Sequence, residues 1–183
     1  MRIAVLGTHG SGKSTLIEGF VAQRPRYARE DEPYWTLVQN GIPFAAGATL
    51  PDLEEQLAAS CETILARAGE ADVIFERCPL DLVAYLEVVG AGQGLEWEPT
   101  GRLLGRMERA LAAIDLLAFL PLSTPDEIDV RIELPRLRAR VDRRLKTILR
   151  DDALELLADG PPVLEVRGSR TARLERLLAA TAS

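Results

Sequence analysis

The residues with the clearest chemistry come first in the chain. Gly7-Thr8-His9-Gly10-Ser11-Gly12-Lys13-Ser14 has the form G-x-x-x-x-G-K-[ST], the spacing of a phosphate-binding loop. Glycines at 7, 10 and 12 let the backbone curl tightly and turn its N–H groups inward. Those N–H groups and the positive end of the following helix make a cradle for anions. Lys13 can reach the β- and γ-phosphates of a nucleotide, and the Ser14 hydroxyl can bind Mg²⁺. Thr8, His9, Gly10, Ser11, Gly12 and Thr15 belong to the same candidate nucleotide site. His9, the one histidine, stands at a variable position of the loop and is expected to meet solvent or phosphate rather than to transfer protons.

A second chemical stretch is Asp72-Val73-Ile74-Phe75-Glu76-Arg77-Cys78. Its apolar run suits a buried strand, which sets Glu76 and Arg77 at the carboxyl end. An acid there can serve Mg²⁺ directly or through water, and an arginine beside it can neutralise phosphate oxygens. An ion pair closing the strand is the plainer reading, and the upstream loop favours the functional one. Asp81 and Tyr85 follow one helical turn apart, spaced to face a cleft, although Asp81 also suits a helix N-terminus. Asp31-Glu32-Pro33-Tyr34-Trp35 reads, on residue types alone, as a solvated acidic turn with Trp35 in the core. Its functional alternative places a carboxylate where open α/β sheets hold ligands. Seven arginines lie between Arg131 and Arg150. Most must form the solvated face of an amphipathic helix. Arg131, Arg138 and Arg140 are the candidates for closing on phosphates as part of a short basic lid.

These groups need elements to hold them. Ile3 to Leu6 reads as a buried strand before the loop, and Leu16, Ile17, Phe20 and Val21 as one face of a helix after it. Tyr27 to Glu30 is a weak second strand. A helix starts near Pro51-Asp52, with Asp52 and Glu55 at capping-box spacing, and Gly69 ends it. Pro79 opens a helix with Leu82, Tyr85, Leu86 and Val89 inward, and the glycines from Gly90 to Gly94 break the chain. Thr100 caps a helix to Ala113, and Ile114 to Leu122 is a strand whose Asp115 is structural. The basic helix continues through Asp152 to Ala158. Val163 to Val166 is the last strand, and a closing helix turns Leu174, Leu177 and Leu178 inward. About five strands alternate with helices, which gives a parallel sheet covered on both faces, an α/β fold in one domain over 1–183.

The chain has 183 residues, 47% hydrophobic and 27% charged, which are globular values. A net charge of −6 argues against a broad nucleic-acid footprint. Cys61 and Cys78 offer neither a disulfide framework nor zinc spacing. No apolar run is long enough to span a membrane. The absence of a signal peptide points to the cytoplasm.

The chain resembles the P-loop kinases of nucleosides and nucleotides. Glu32-Pro33-Tyr34-Trp35 looks like the Glu-Pro-x-x-x-Trp region of deoxynucleoside kinases, one residue shorter, and Glu76-Arg77-Cys78 like their Glu-Arg-Ser. The resemblance implies that Glu32 takes the proton from the acceptor hydroxyl, that Glu76 serves the metal and that Arg77 serves the reacting oxygens. Arg77-Cys78-Pro79-Leu80-Asp81 with Tyr85 also resembles the small AAA-labelled P-loop proteins similar to nicotinamide riboside kinase domains. A three-layer P-loop NTPase fold with strand order 2-3-1-4-5 and an adenine site near Gly168-Ser169 follow as implications. The expected activity is transfer of the γ-phosphoryl group of ATP, with Mg²⁺, to a small nucleoside-like or nucleotide-like acceptor. Glu32, Trp35, Arg77, Asp81 and Tyr85 would hold the acceptor, joined by Trp97, and a homodimer is a candidate assembly. The alternatives are an ATPase or nucleotide switch acting through a protein partner, and a polynucleotide 5′-hydroxyl kinase.

Overall fold

The computed structural model describes residues 1–39, 49–123 and 134–182. Five strands form one parallel sheet: β1 (Arg2–Leu6), β2 (Ala28–Glu30), β3 (Val73–Glu76), β4 (Leu116–Phe119) and β5 (Val163–Glu165). Their order is β2-β3-β1-β4-β5. Among the described residues seven helices connect and cover them: α1 (Lys13–Gln23), α2 (Pro33–Gln39), α3 (Leu50–Ala66), α4 (Pro79–Gly92), α5 (Gly101–Ala112), α6 (Pro135–Asp151) and α7 (Arg170–Ala180). Ala4 pairs with Phe75 on one side and Leu117 on the other, so β1 is central.

Side chains alternate across a strand, and β1 divides the core accordingly. Ile3 and Val5 join Leu16, Ile17 and Phe20 of α1 and Leu177 of α7. Ala4 and Leu6 join a larger cluster drawn from α3, α4, α5 and α6, including Leu57, Leu86, Met107 and Leu145. Two helical layers thus enclose the sheet. Parallel strands run the same way, so the ends of β1, β2 and β3 bring the phosphate loop, Glu32 and Glu76-Arg77 to one edge.

Several element boundaries differ from the sequence expectation. The N-cap of α3 is Thr49, whose side chain accepts from the Asp52 N–H, rather than an Asp52–Glu55 box. Helix α3 stops at Ala66, before Gly69. Helix α4 runs through Gly90 to Gly92 instead of breaking there. Gly90 suits this packing, because a Cβ on it would lie 3.2 Å from the Leu95 carbonyl oxygen. The basic helix ends at Asp151 rather than continuing to Ala158. Asp152 turns left-handed at φ 42°, and its carboxylate accepts from the Leu156 and Leu157 N–H groups, 2.9 Å each. The loop expected from Gln39 to Leu50 lies mostly outside the described residues.

Candidate active site

The phosphate loop leaves β1 at Gly7, whose φ of 150° and close neighbours leave no room for a side chain. A Cβ there would stand 2.8 Å from both the Leu120 carbonyl oxygen and Ser11 Oγ. Gly10 and Gly12 take φ 64° and 94°, backbone shapes that glycine adopts without steric cost. Gly12 is the N-cap of α1, and Lys13 is the first helical residue. Lys13 is buried, and its Nζ donates 3.1 Å to the Thr8 carbonyl across the loop. Burial, aided by the charge of Arg77, pushes Lys13 down to about 8, against the pull of Glu32, Asp81 and Glu76. Those five charges share one small volume. Gly10, Ser14 and Thr15 are exposed, while Thr8 and Ser11 are buried.

Ser14 Oγ donates to Glu76 Oε1 at 2.6 Å. The other oxygen of Glu76 accepts from Arg29 of β2 at 3.2 Å. A hydroxyl and a carboxylate are hard oxygen donors of the kind Mg²⁺ takes, and two protein ligands leave coordination places for phosphate oxygens and water. The residues therefore fit the metal expected of them. Among the described residues, no cluster of three or more histidine, cysteine or acidic side chains forms a metal cage.

Arg77 follows at once, in a left-handed conformation with φ 75°. This turn swings its side chain away from Glu76. Nε donates 2.5 Å to Glu32 Oε1, Nη1 donates 3.4 Å to the Gly7 carbonyl, and the guanidinium lies 5.2 Å from the Tyr85 ring centroid. Burial raises the Glu32 carboxyl, but Arg77 and Lys13 outweigh it and hold Glu32 below the usual carboxylate range. Burial works against the Arg77 charge as well, and Glu32, Tyr85 and Asp81 more than restore it.

Asp81 and Tyr85 stand behind the loop. Asp81 is fully buried, accepting from the Gly7 N–H at 2.8 Å and the Cys78 N–H at 3.0 Å. It ties the start of the loop to the start of α4, which leaves a structural task where acceptor contact was expected. Tyr85 Oη accepts from the His9 N–H at 2.9 Å and lies 2.7 Å from His9 Nδ1. Trp35 is 55% exposed on the first turns of α2, so it is not the core residue of the plain reading. Leu37 takes that place. Trp97 lies elsewhere, with its indole N–H on Glu54 at 2.8 Å.

The basic helix contributes one residue to the loop. Arg138 is buried and donates to the His9 and Gly10 carbonyls at 3.0 Å each. Arg140 points toward α4 instead, donating to the Val88 carbonyl at 3.3 Å. It lines a cavity of about 960 Å³ bounded by α4, α6 and residues 94–99, with Trp97 on another wall. Arg131 lies outside the described residues. Gly168 and Ser169 follow β5; Ser169 caps α7 through the Ala172 N–H. Arg29 and Arg173 were not singled out from the sequence. Arg173 donates to the Ser11 carbonyl at 2.7 Å and the Gly168 carbonyl at 2.8 Å. No local motif marks either arginine, because each acts on a partner far away in the chain.

Sheet order, loop and the acid at the end of β3 define the class: a protein with the three-layer fold of the P-loop nucleoside and nucleotide kinases. The chain belongs to the AAA domain family, whose match extends over residues 2–173. Among solved structures, it is similar to a deoxyadenosine kinase from M. mycoides with bound dATP, at 15% identity and TM-score 0.66, with all of both chains covered. A thymidylate kinase from Candida albicans is similar at 16% identity and TM-score 0.61, covering 99% of this chain and 92% of that one. A NadR protein in complex with NR is similar at 14% identity and TM-score 0.65, all of this chain matching 51% of that one. No curated protein matches the sequence.

Proposed function

We propose that this chain transfers the γ-phosphoryl group of ATP, with Mg²⁺, to a hydroxyl or phosphate of a small nucleoside-like or nucleotide-like acceptor. The observation that carries the reading is the pairing of Glu32 with Arg77, next in sequence to the Ser14–Glu76 pair, around one buried lysine. A second acid, half-buried and held by its own arginine, suits taking a proton from an acceptor placed beside it.

The loop N–H groups and Lys13 bind the phosphates. Ser14 and Glu76 would hold Mg²⁺, which, when bound, offsets charge on the β- and γ-phosphates. Glu32 uses Oε1 for Arg77 and offers Oε2 to an acceptor hydroxyl. In transfer, the acceptor oxygen gives its proton to Glu32 and bonds to the γ-phosphorus, and the bond from that phosphorus to the ADP oxygen breaks. Arg77 stabilises the charge shared among the reacting oxygens. Trp35 stacks on the acceptor from the exposed face of α2. The 131–150 segment serves as the lid that keeps water from the site, and the donor base lies against Gly168-Ser169. Residues 1–183 act as one unit, and a reducing cytoplasm suits the two buried free thiols of Cys61 and Cys78.

The test measures ATP turnover with and without a panel of nucleosides and nucleotides. Stimulation by one compound, with its phosphorylated product recovered, is expected. Glu32→Gln should lower transfer by about 10²–10⁴-fold while ADP binding is kept. Full transfer by Glu32→Gln would remove the assignment of the base. Turnover that no small acceptor raises would favour a nucleotide switch acting through a protein partner.

A further inference from the structure

Every carbonyl from Gly7 to Ser11 accepts a hydrogen bond from a cationic side chain. Arg77 of the β3–α4 junction takes Gly7, and Lys13 of α1 takes Thr8. Arg138 of α6 takes His9 and Gly10, and Arg173 of α7 takes Ser11. Arg77 and Lys13 are also groups a nucleotide would engage. Arg138 and Arg173 are different: both are about 95% buried, and the contacts described above fall on the carbonyl side of the loop.

A trans peptide plane points its N–H opposite to its C=O. Fixing the His9 and Ser11 carbonyls therefore aims the Gly10 and Gly12 N–H groups the other way, toward the concave side. The Ser11 N–H is already used within the loop, on the Thr8 carbonyl at 3.3 Å. Gly10 and Gly12 are the residues whose peptides are freest to rotate, so these are the amides that need an outside hold. Arg173 also grips the Gly168 carbonyl, which joins the turn after β5 to the phosphate loop through one guanidinium.

We propose that Arg138 and Arg173 are positioning residues that hold the phosphate loop in its binding shape from behind, with Arg173 fastening it to the β5–α7 turn. They act through the Gly10 and Gly12 amides and not by touching phosphate. The inference deepens the proposed kinase reading and rests on the loop being a polyphosphate site.

The experiment binds ADP and inorganic tripolyphosphate to the full chain and follows Gly10 and Gly12 amide exchange without ligand. Arg173→Gln and Arg138→Gln should each bind tripolyphosphate about tenfold more weakly, since each loses charged hydrogen bonds to loop carbonyls. Amide exchange at Gly10 and Gly12 should quicken. The salt dependence of binding should stay as in the wild type, whereas loss of a direct phosphate contact would lower it. Added guanidinium should restore binding to Arg173→Ala by filling the space the side chain leaves. Wild-type affinity in both glutamine variants overturns the proposal, as does a lowered salt dependence. A variant that loses thermal stability but keeps normal affinity and amide exchange also overturns it, because the arginine is then structural only. Wild-type protein that binds no tripolyphosphate removes both this inference and the kinase reading. Protein that binds it but phosphorylates no acceptor removes the kinase reading alone.

Discussion

Lys13 shows how single residues set the behaviour of the site. Its ammonium is buried beside Arg77, and it titrates near 8 in place of 10.5. The unfolded chain holds the extra proton between those values, so this group makes the ligand-free protein more stable as pH rises from about 8 to 10.5. Phosphate oxygens beside the ammonium favour its charged form. Binding of ADP at pH 8, where about half of Lys13 is charged, is therefore expected to take up protons. Calorimetry in two buffers of different ionisation enthalpy measures this, and proton release would contradict the assignment. Glu32 works in the opposite sense. Its carboxyl lies below the ordinary range, so the stability from its pair with Arg77 is present at neutral pH and fades only as acid titrates it. The proposed base is thus ionised at neutral pH.

At the level of elements, the junction of β1 with the loop tolerates least. Gly7→Ala would push a methyl group against the backbone of Leu120 at the end of β4, where nothing soft can yield. A loss of about 1–3 kcal/mol is expected from that overpacking alone, together with loss of nucleotide binding, read by urea unfolding and ADP titration. Thr100→Ala is the contrasting case: it removes the cap of α5, remote from the loop, and should cost about 1 kcal/mol without changing affinity. What could be read from sequence follows the same division. Strand β3 and the loop were legible because a buried parallel strand is a continuous apolar run and the glycine spacing is local. Thr100 was legible for a similar reason, as a cap next to its own helix. Thr49 was not, because Asp52 offered an equally good cap three residues on. The left-handed turn at Asp152 could not be seen either: aspartate at a helix end and aspartate in a helix are alike until its carboxylate finds the Leu156 and Leu157 N–H groups. Arg29 and Arg173 gained their meaning only when the sheet brought distant segments together, and Arg138, a candidate from its sequence position, gained its partners there.

For the whole molecule, the basic helix is the feature most easily misread. Its arginines suggest a groove for polynucleotide, yet Arg138 is committed to the loop, Arg140 to the Val88 carbonyl, Arg144 to Glu87 and Arg150 to Asp151. With a net charge of −6 added, single-stranded oligonucleotides are expected to be poor acceptors beside free nucleosides at physiological salt. Equal phosphorylation of an oligonucleotide 5′ end would reverse that. The hold of Arg173 on Ser11 has a consequence of its own, since the two residues are 162 apart in the chain. During synthesis the glycine loop leaves the ribosome well before α7, which carries its most distant fastening. Nascent chains stalled before Arg173 should therefore carry a complete motif and still hold nucleotide at least about tenfold more weakly than the finished protein.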